Sequence, residues 1–109
     1  MNNNIVLSVV IPNFNRKSDI LELLGSLYDQ KFEDFEIIVV DDNSTDGSIP
    51  AIKEQYPQTI IIPLPKNMGP AVARNFGIKS ARGEIIVGLD SDTILQDKDI
   101  FSKITGRSA

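Results

Sequence analysis

Glu36-Ile-Ile-Val-Val-Asp-Asp-Asn-Ser-Thr-Asp-Gly47 is the stretch on which the fold turns. Glu36 to Val40 is short, β-branched and almost continuously apolar, which reads as a strand buried on both faces. Strands of that kind belong to parallel sheets covered on each side by helices. From Asp41 to Gly47 the chain becomes abruptly polar. The strand therefore ends in a turn that carries two adjacent carboxylates, Asp41 and Asp42.

Toward the amino terminus, Val6 to Ile11 is a second β-branched run, and Pro12 is expected to end it. Asp19 then opens a helix, with Glu22 in the capping-box position. Ile20, Leu23, Leu24, Leu27 and Tyr28 follow at helical spacing and make one apolar face. Toward the carboxyl terminus, a second helix runs to about Tyr56, with Pro50 tolerated in its first turn. Thr59 to Ile62 is a third strand and Pro63 to Asn67 a loop. Gly69-Pro70 opens a third helix. Arg82-Gly83 closes it, Gly83 suiting a left-handed cap. Glu84 to Leu89 is a fourth strand, apolar like the others, which runs into Asp90-Ser91-Asp92.

The order βαβαβαβ predicts an α/β fold: one domain, a mostly parallel sheet, right-handed crossovers and helices on both faces. Ligands of such sheets sit beyond the carboxyl ends of the strands. Here those ends carry Pro12-Asn-Phe-Asn-Arg16, Asp41-Asp-Asn-Ser44, Pro65-Lys-Asn67 and Asp90-Ser-Asp92. The opposite edge has nothing comparable.

Composition narrows the chemistry. The 109 residues are 41% hydrophobic and 24% charged, as in a globular domain, with a net charge of −4. That charge argues against coating nucleic acid, which requires a basic surface. There is no Cys and no His, so disulfides, thiolate or imidazole metal sites and a His general base are excluded. The opening Met-Asn-Asn-Asn has no basic signal-peptide region, and no apolar run is long enough for a bilayer. A cytoplasmic protein is expected.

Each candidate residue has a bland reading beside the chemical one. Asp90 and Asp92, two apart at a strand end, can turn toward one hard cation such as Mg²⁺ or Mn²⁺; alone, they would be an acidic turn. Asp42 can accept from a ribose hydroxyl or a base N–H, or can stabilise the turn, with Ser44 or Thr45 structural. Gly69 permits close backbone approach at a helix start, where anions are favoured. Arg74, one turn on, can reach a phosphate or pair with a nearby carboxylate such as Asp42. Arg16 and Lys66 read as solvated surface charges. Asp42 to Gly47 imitates the start of a calcium loop, but its twelfth position is Lys53 where Glu is needed. Neither a dinucleotide-binding glycine motif nor a P-loop is present.

Four ordered stretches together resemble the amino-terminal, nucleotide-sugar-binding half of family 2 GT-A glycosyltransferases. They are Ser8-Val-Val-Ile-Pro-Asn-Phe-Asn15, Phe35 to Gly47, Asn67-Met-Gly-Pro-Ala-Val-Ala-Arg-Asn-Phe-Gly77 and Gly83-Glu-Ile-Ile-Val-Gly-Leu-Asp-Ser-Asp92. The resemblance implies a Rossmann-like GT-A sheet, here truncated, and metal-dependent, inverting transfer from a nucleotide-diphosphate sugar. UDP-sugar is the expected donor, and Mn²⁺ or Mg²⁺ the cofactor. Pro12, Phe14 and Asn15 would line the base pocket, and Asp42 would contact the base. Asn67, Gly69, Arg74 and Ser91 would sit along the nucleotide sugar. Asp90 would lie at the ribose and share the metal with Asp92. Family members continue into an acceptor-binding half that supplies the catalytic base. The 109 residues are therefore expected to hold donor without that base. The full-length enzyme would take a glycan or lipid-linked acceptor, with a role in cell-wall or polysaccharide synthesis and a membrane association. Apolar surface left by the absent half would favour self-association. The competing readings are a nucleotide-binding module without turnover and a haloacid-dehalogenase-type phosphatase, suggested by Asp90-Ser-Asp-Thr93. The phosphatase motif belongs on a first strand, not a fourth.

Overall fold

The computed structural model describes residues 5–107. The opening Met-Asn-Asn-Asn lies outside them. The elements alternate as expected: β1 (Ile5–Asn13), α1 (Lys17–Tyr28), β2 (Phe35–Asp41), α2 (Ser48–Gln55), β3 (Ile60–Pro63), α3 (Pro70–Ser80) and β4 (Gly83–Gly88). A short helix not anticipated from the sequence, α4 (Ile100–Thr105), follows.

The four strands form one parallel sheet in the order β3-β2-β1-β4. The chain winds outward from β1 through β2 to β3, then returns across the sheet to place β4 on the other side of β1. That reversal makes the crevice between β1 and β4 a topological switch point, where ligands of α/β sheets bind. One face is the larger core. There Ile20, Leu23, Leu24 and Leu27 of α1 and Ile52 of α2 pack with Val9, Ile11, Ile37 and Val39. Phe101 of α4 joins this face, edge-on to Phe35 at a ring-centre distance of 4.8 Å. On the other face, Ala73 of α3 packs with Ile38, Val40 and Leu64. Gly77 brings α3 down onto the sheet: a Cβ there would stand 2.3 Å from Val10 Cγ1.

Several local expectations change. Pro12 does not end β1, which continues to Asn13 with Pro12 opposite Val40. The Val10 carbonyl accepts from the Leu89 N–H on the β4 side, while the Asn13 carbonyl accepts from the Asp42 N–H on the β2 side. By that alternation the Pro12 nitrogen faces β4, beyond the last β1–β4 pair at Val10 and Gly88, so no ladder bond is lost. Helix α1 starts at Lys17, not Asp19, and Arg16 caps it without a side-chain hydrogen bond. The Asp46 carboxylate of the β2–α2 loop instead accepts from the Lys17 N–H at 2.9 Å, a tertiary cap invisible to local pattern. Gly83 is not a left-handed helix cap. Helix α3 ends at Ala81 in extended backbone, and Gly83 begins β4. A Cβ at Gly83 would fall 2.6 Å from the Ser8 nitrogen, so close strand approach requires the glycine. The strands are also not equally buried. β1 and β2 are covered on both faces, but Ile86 of β4 and Ile60 of β3 are exposed, because these are the sheet's edges. Among the described residues, no helix is long and apolar enough to cross a membrane.

Candidate functional site

At the carboxyl ends of the strands a cavity of about 430 Å³ opens at the switch point. Its walls come from three loops and the start of α3. The end of β1 supplies Pro12, the β1–α1 loop supplies Phe14 and Arg16, the β2 end supplies Asp42, Asn67 and Gly69 precede α3, and Asp90, Ser91 and Asp92 follow β4. Sequence positions from 12 to 92 thus meet in one place.

Asp41 and Asp42 divide their labour. Asp41 is buried under the turn and accepts from Asn13 Nδ2 at 3.0 Å, the Ser44 N–H at 2.8 Å and Ser44 Oγ at 2.8 Å. It ties the ends of β1 and β2 together. Asp42 reaches the cavity and accepts from the backbone N–H groups of Met68 at 2.6 Å and Gly69 at 2.9 Å. It therefore fixes the loop that leads into α3. Gly69 has φ +92°, and a Cβ there would meet nothing within 4 Å. The glycine answers a backbone requirement and leaves open space at the helix start, where N–H groups favour an anion.

Phe14 is exposed at the cavity rim, an aromatic face available for stacking. Asn15 is not a wall residue. Its backbone turns left-handed, its N–H donates to Ser44 Oγ at 2.9 Å, and its side-chain oxygen accepts from the Thr45 N–H at 2.7 Å. It pins the β1–α1 loop to the β2–α2 loop. Arg74 stands beside the cavity without lining it. It pairs with Asp90 at 3.3 Å, not with Asp42. Arg16, which looked like a solvated charge, does line the cavity, as do Asn13 and Pro70. The one sequence signal for Arg16 was its place two residues past Phe14 on a loop already assigned to the site.

The cation question turns on donor number. No group of three or more His, Cys, Asp or Glu side chains capable of holding a metal is present among the described residues. Asp90 and Asp92 offer carboxylate oxygens on the cavity wall, while those of Asp42 are already engaged by the Met68 and Gly69 N–H groups. One or two carboxylates suffice for Mg²⁺ or Mn²⁺ when phosphates of the ligand complete the shell, so the pair fits a cation that arrives with a diphosphate.

Comparison with known proteins agrees with this geometry. The model of glycosyl transferase family 2 matches residues 8–103, and the chain belongs to that family. It is 44% identical over 92 residues to a poly(ribitol-phosphate) beta-glucosyltransferase of Bacillus spizizenii, spanning 79% of this chain and 14% of that protein. Among solved structures it resembles residues 1–349 of S. aureus TarS in complex with UDP-GlcNAc. There the TM-score is 0.87 and the identity 33%, over 94% of this chain and 30% of that one. It also resembles a mannosyltransferase of Pyrobaculum calidifontis in complex with GDP-Man and Mn²⁺, with a TM-score of 0.79 and 30% identity, over 88% and 30% of the two chains. The sheet is thus the GT-A type that the sequence motifs imply. The chain spans less than a third of each of these proteins.

Proposed function

We propose that the chain is the donor-binding part of an inverting glycosyltransferase that takes a UDP-sugar together with Mn²⁺ or Mg²⁺. The observation that carries this reading is the convergence of Phe14, Asp42, the start of α3 and the Asp90–Asp92 pair on a single cavity at the switch point. In this reading the base stacks on Phe14 beside Pro12, and Asp42 accepts from its N–H. The diphosphate lies toward Gly69 and Arg74, and Asp90 and Asp92 hold the cation. The cation stabilises charge on the departing nucleoside diphosphate. The poly(ribitol-phosphate) beta-glucosyltransferase named above supports a polymer acceptor for the whole enzyme.

The cavity's carboxylates, Asp42, Asp90 and Asp92, all serve the donor in this reading, and none is left to deprotonate an acceptor. The 109-residue chain is therefore expected to bind donor without transferring sugar. General-base assistance is worth about 10²–10⁴-fold in rate, and orientation of the acceptor contributes further. Calorimetry with UDP, with and without Mn²⁺, tests the binding half of the proposal. Equal affinity in both conditions rules out a shared metal–diphosphate site. Mass spectrometry of the chain incubated with UDP-sugars, Mn²⁺ and acceptor glycans tests the other half. Robust product formation would show that the chain carries its own acceptor site. Binding that is unaccompanied by turnover in the whole enzyme as well would favour a nucleotide-binding module instead.

A further inference from the structure

We infer that Gln30 is a positioning residue for the acidic pair of the cavity: its side-chain amide ties down the segment that carries Asp90 and Asp92, and so sets how well that pair is presented to a cation. The inference rests on the donor-and-cation reading of the cavity and adds to it a residue that lies outside the cavity wall.

The segment from Leu89 to Asp99 is neither strand nor helix. At its near end the Leu89 N–H donates to the Val10 carbonyl at 3.0 Å. The Thr93 N–H donates to the Asp90 carbonyl at 3.0 Å and closes a turn around Ser91 and Asp92. Asp90, Ser91 and Asp92 line the cavity from this turn. The Asp92 side chain is exposed, so its place on the wall is set by the backbone that carries it.

Gln30, just beyond the end of α1, holds the far end. Its side chain is buried, and both halves of its amide are committed to this segment. Nε2 donates to the Asp97 carbonyl at 2.7 Å, and Oε1 accepts from the Phe101 N–H at 3.1 Å, partners 67 and 71 residues away. The Lys31 N–H adds a bond to the Lys98 carbonyl at 3.1 Å, and Leu95 packs against the larger core. Three ion pairs surround these contacts: Lys98 with Asp29, Lys31 with Asp99 and Lys103 with Asp97. Every side chain in them is at least 40% exposed, and pairs so open to water hold weakly. The Gln30 amide is the firmer anchor, since its loss strips a buried backbone N–H of its partner.

A cation held by two carboxylates and a diphosphate tolerates little slack. A site left loose by its supports binds in proportion to the fraction of time it is correctly formed. Only residues 93–96 separate Asp92 from Asp97. Released at Asp97 and Phe101, the segment keeps its tie at Leu89 but loses a fixed far end, and the turn that carries Asp92 gains freedom. Asp92 depends on Gln30 more than Asp90 does, because Arg74 already pairs with Asp90.

The test compares the wild-type chain with Gln30→Met, which withdraws both hydrogen bonds at similar length, and Gln30→Glu, which keeps an acceptor for Phe101 but no donor for the Asp97 carbonyl. The first readout is calorimetry with UDP, with and without Mn²⁺. In Gln30→Met the increase in UDP affinity brought by Mn²⁺ should shrink about threefold or more, as when the productive arrangement is populated about a third of the time. UDP affinity without Mn²⁺ should be unchanged. Gln30→Glu should shrink the Mn²⁺ effect as well. The second readout is amide exchange in the metal-free chain, where the Thr93 N–H of Gln30→Met should exchange about tenfold faster, the scale of one lost hydrogen bond. Tyr28→Phe, which removes only the hydrogen bond to Thr59 Oγ1, controls for a general loss of stability and should keep both the Mn²⁺ effect and the Thr93 protection. A Mn²⁺ effect equal to wild type in both Gln30 variants overturns the inference. So does an equal fall in Tyr28→Phe, or a loss of UDP affinity already present without Mn²⁺, since either makes Gln30 a support of the whole fold. If Gln30→Met does not fold, Gln30→Glu decides by the same criteria. If Mn²⁺ leaves UDP affinity unchanged in wild type, the cation reading falls and this inference with it, a result distinct from the others.

Discussion

Arg74 Nη2 lies 3.3 Å from Asp90 Oδ1, so the helix that starts across the cavity sets a positive charge against the first residue of the acidic pair that follows β4. On the proposed reading, the arginine would compete with a cation for that carboxylate until a diphosphate offered Arg74 another anionic partner and freed Asp90 to turn toward the metal.

A measurable asymmetry follows for Arg74→Met. Mn²⁺ alone should bind about threefold more tightly, because a nearby positive charge and a competing partner are gone. UDP in the presence of Mn²⁺ should bind less tightly, because a phosphate partner is gone. Calorimetry of each ligand separately checks both directions. Asp92→Ala should abolish the effect of Mn²⁺ on UDP affinity altogether. A Mn²⁺ affinity unmoved by Arg74→Met would mean that the ion pair does not restrain Asp90.

The adjacent carboxylates should separate by assay. Asp41→Ala leaves Asn13 Nδ2 and the Ser44 N–H without their buried partner, and should cost about 1–3 kcal/mol of stability in a denaturant melt. Asp42→Ala should lower UDP affinity more than Asp41→Ala does, because it removes a cavity wall and releases Met68 and Gly69 together. Indistinguishable UDP affinities in the two variants would contradict this division of roles.

Glu36 should contribute to acid sensitivity. Burial would push its carboxyl upward, but hydrogen bonds from Ser8 Oγ at 2.6 Å, the Arg82 N–H at 2.7 Å and the Arg82 guanidinium hold it below the ordinary carboxylate range. A group whose folded pKa is depressed binds protons more readily when unfolded. Its stabilisation is complete above the unfolded value of about 4.3 and is lost as pH falls through the lower folded value. Urea melts from pH 6 to pH 3 should therefore show a steeper loss of stability in wild type than in Glu36→Gln. The glutamine variant should be weaker at pH 6, where the charged network is intact only in wild type.

Gly77→Ala tests how closely α3 must lie on the sheet. Alanine favours a helix interior by up to about 1 kcal/mol over glycine. The added Cβ, however, would meet Val10 at 2.3 Å and Val40 at 3.1 Å, side chains set in the middle of the sheet. Overpacking of this kind costs about 1–3 kcal/mol, so net destabilisation is expected in thermal melts. Weakened UDP binding should accompany it, because α3 carries the cavity wall at its start. A variant more stable than wild type would mean that α3 can shift outward freely.

What the sequence determined by itself was the alternation of elements, the parallel sheet and the edge on which the site lies. Those follow from local pattern: β-branched runs, helical spacing of Ile20 to Leu27, and polar residues at strand ends. Family membership was legible for the same reason, since its motifs are contiguous stretches. Tertiary structure alone decided which polar residues face the cavity and which support it. Asn15 and Arg16 are neighbours in the chain, yet one pins two loops together and the other lines the wall. Arg74 pairs with Asp90 and not with Asp42, whose oxygens hold the N–H groups of Met68 and Gly69, 26 and 27 residues away. The start of α1 escaped local reading because its capping carboxylate, Asp46, comes from a loop 29 residues away. Hydrogen bonds between distant segments leave no periodicity in a sequence; they exist only once the sheet has brought its strand ends together.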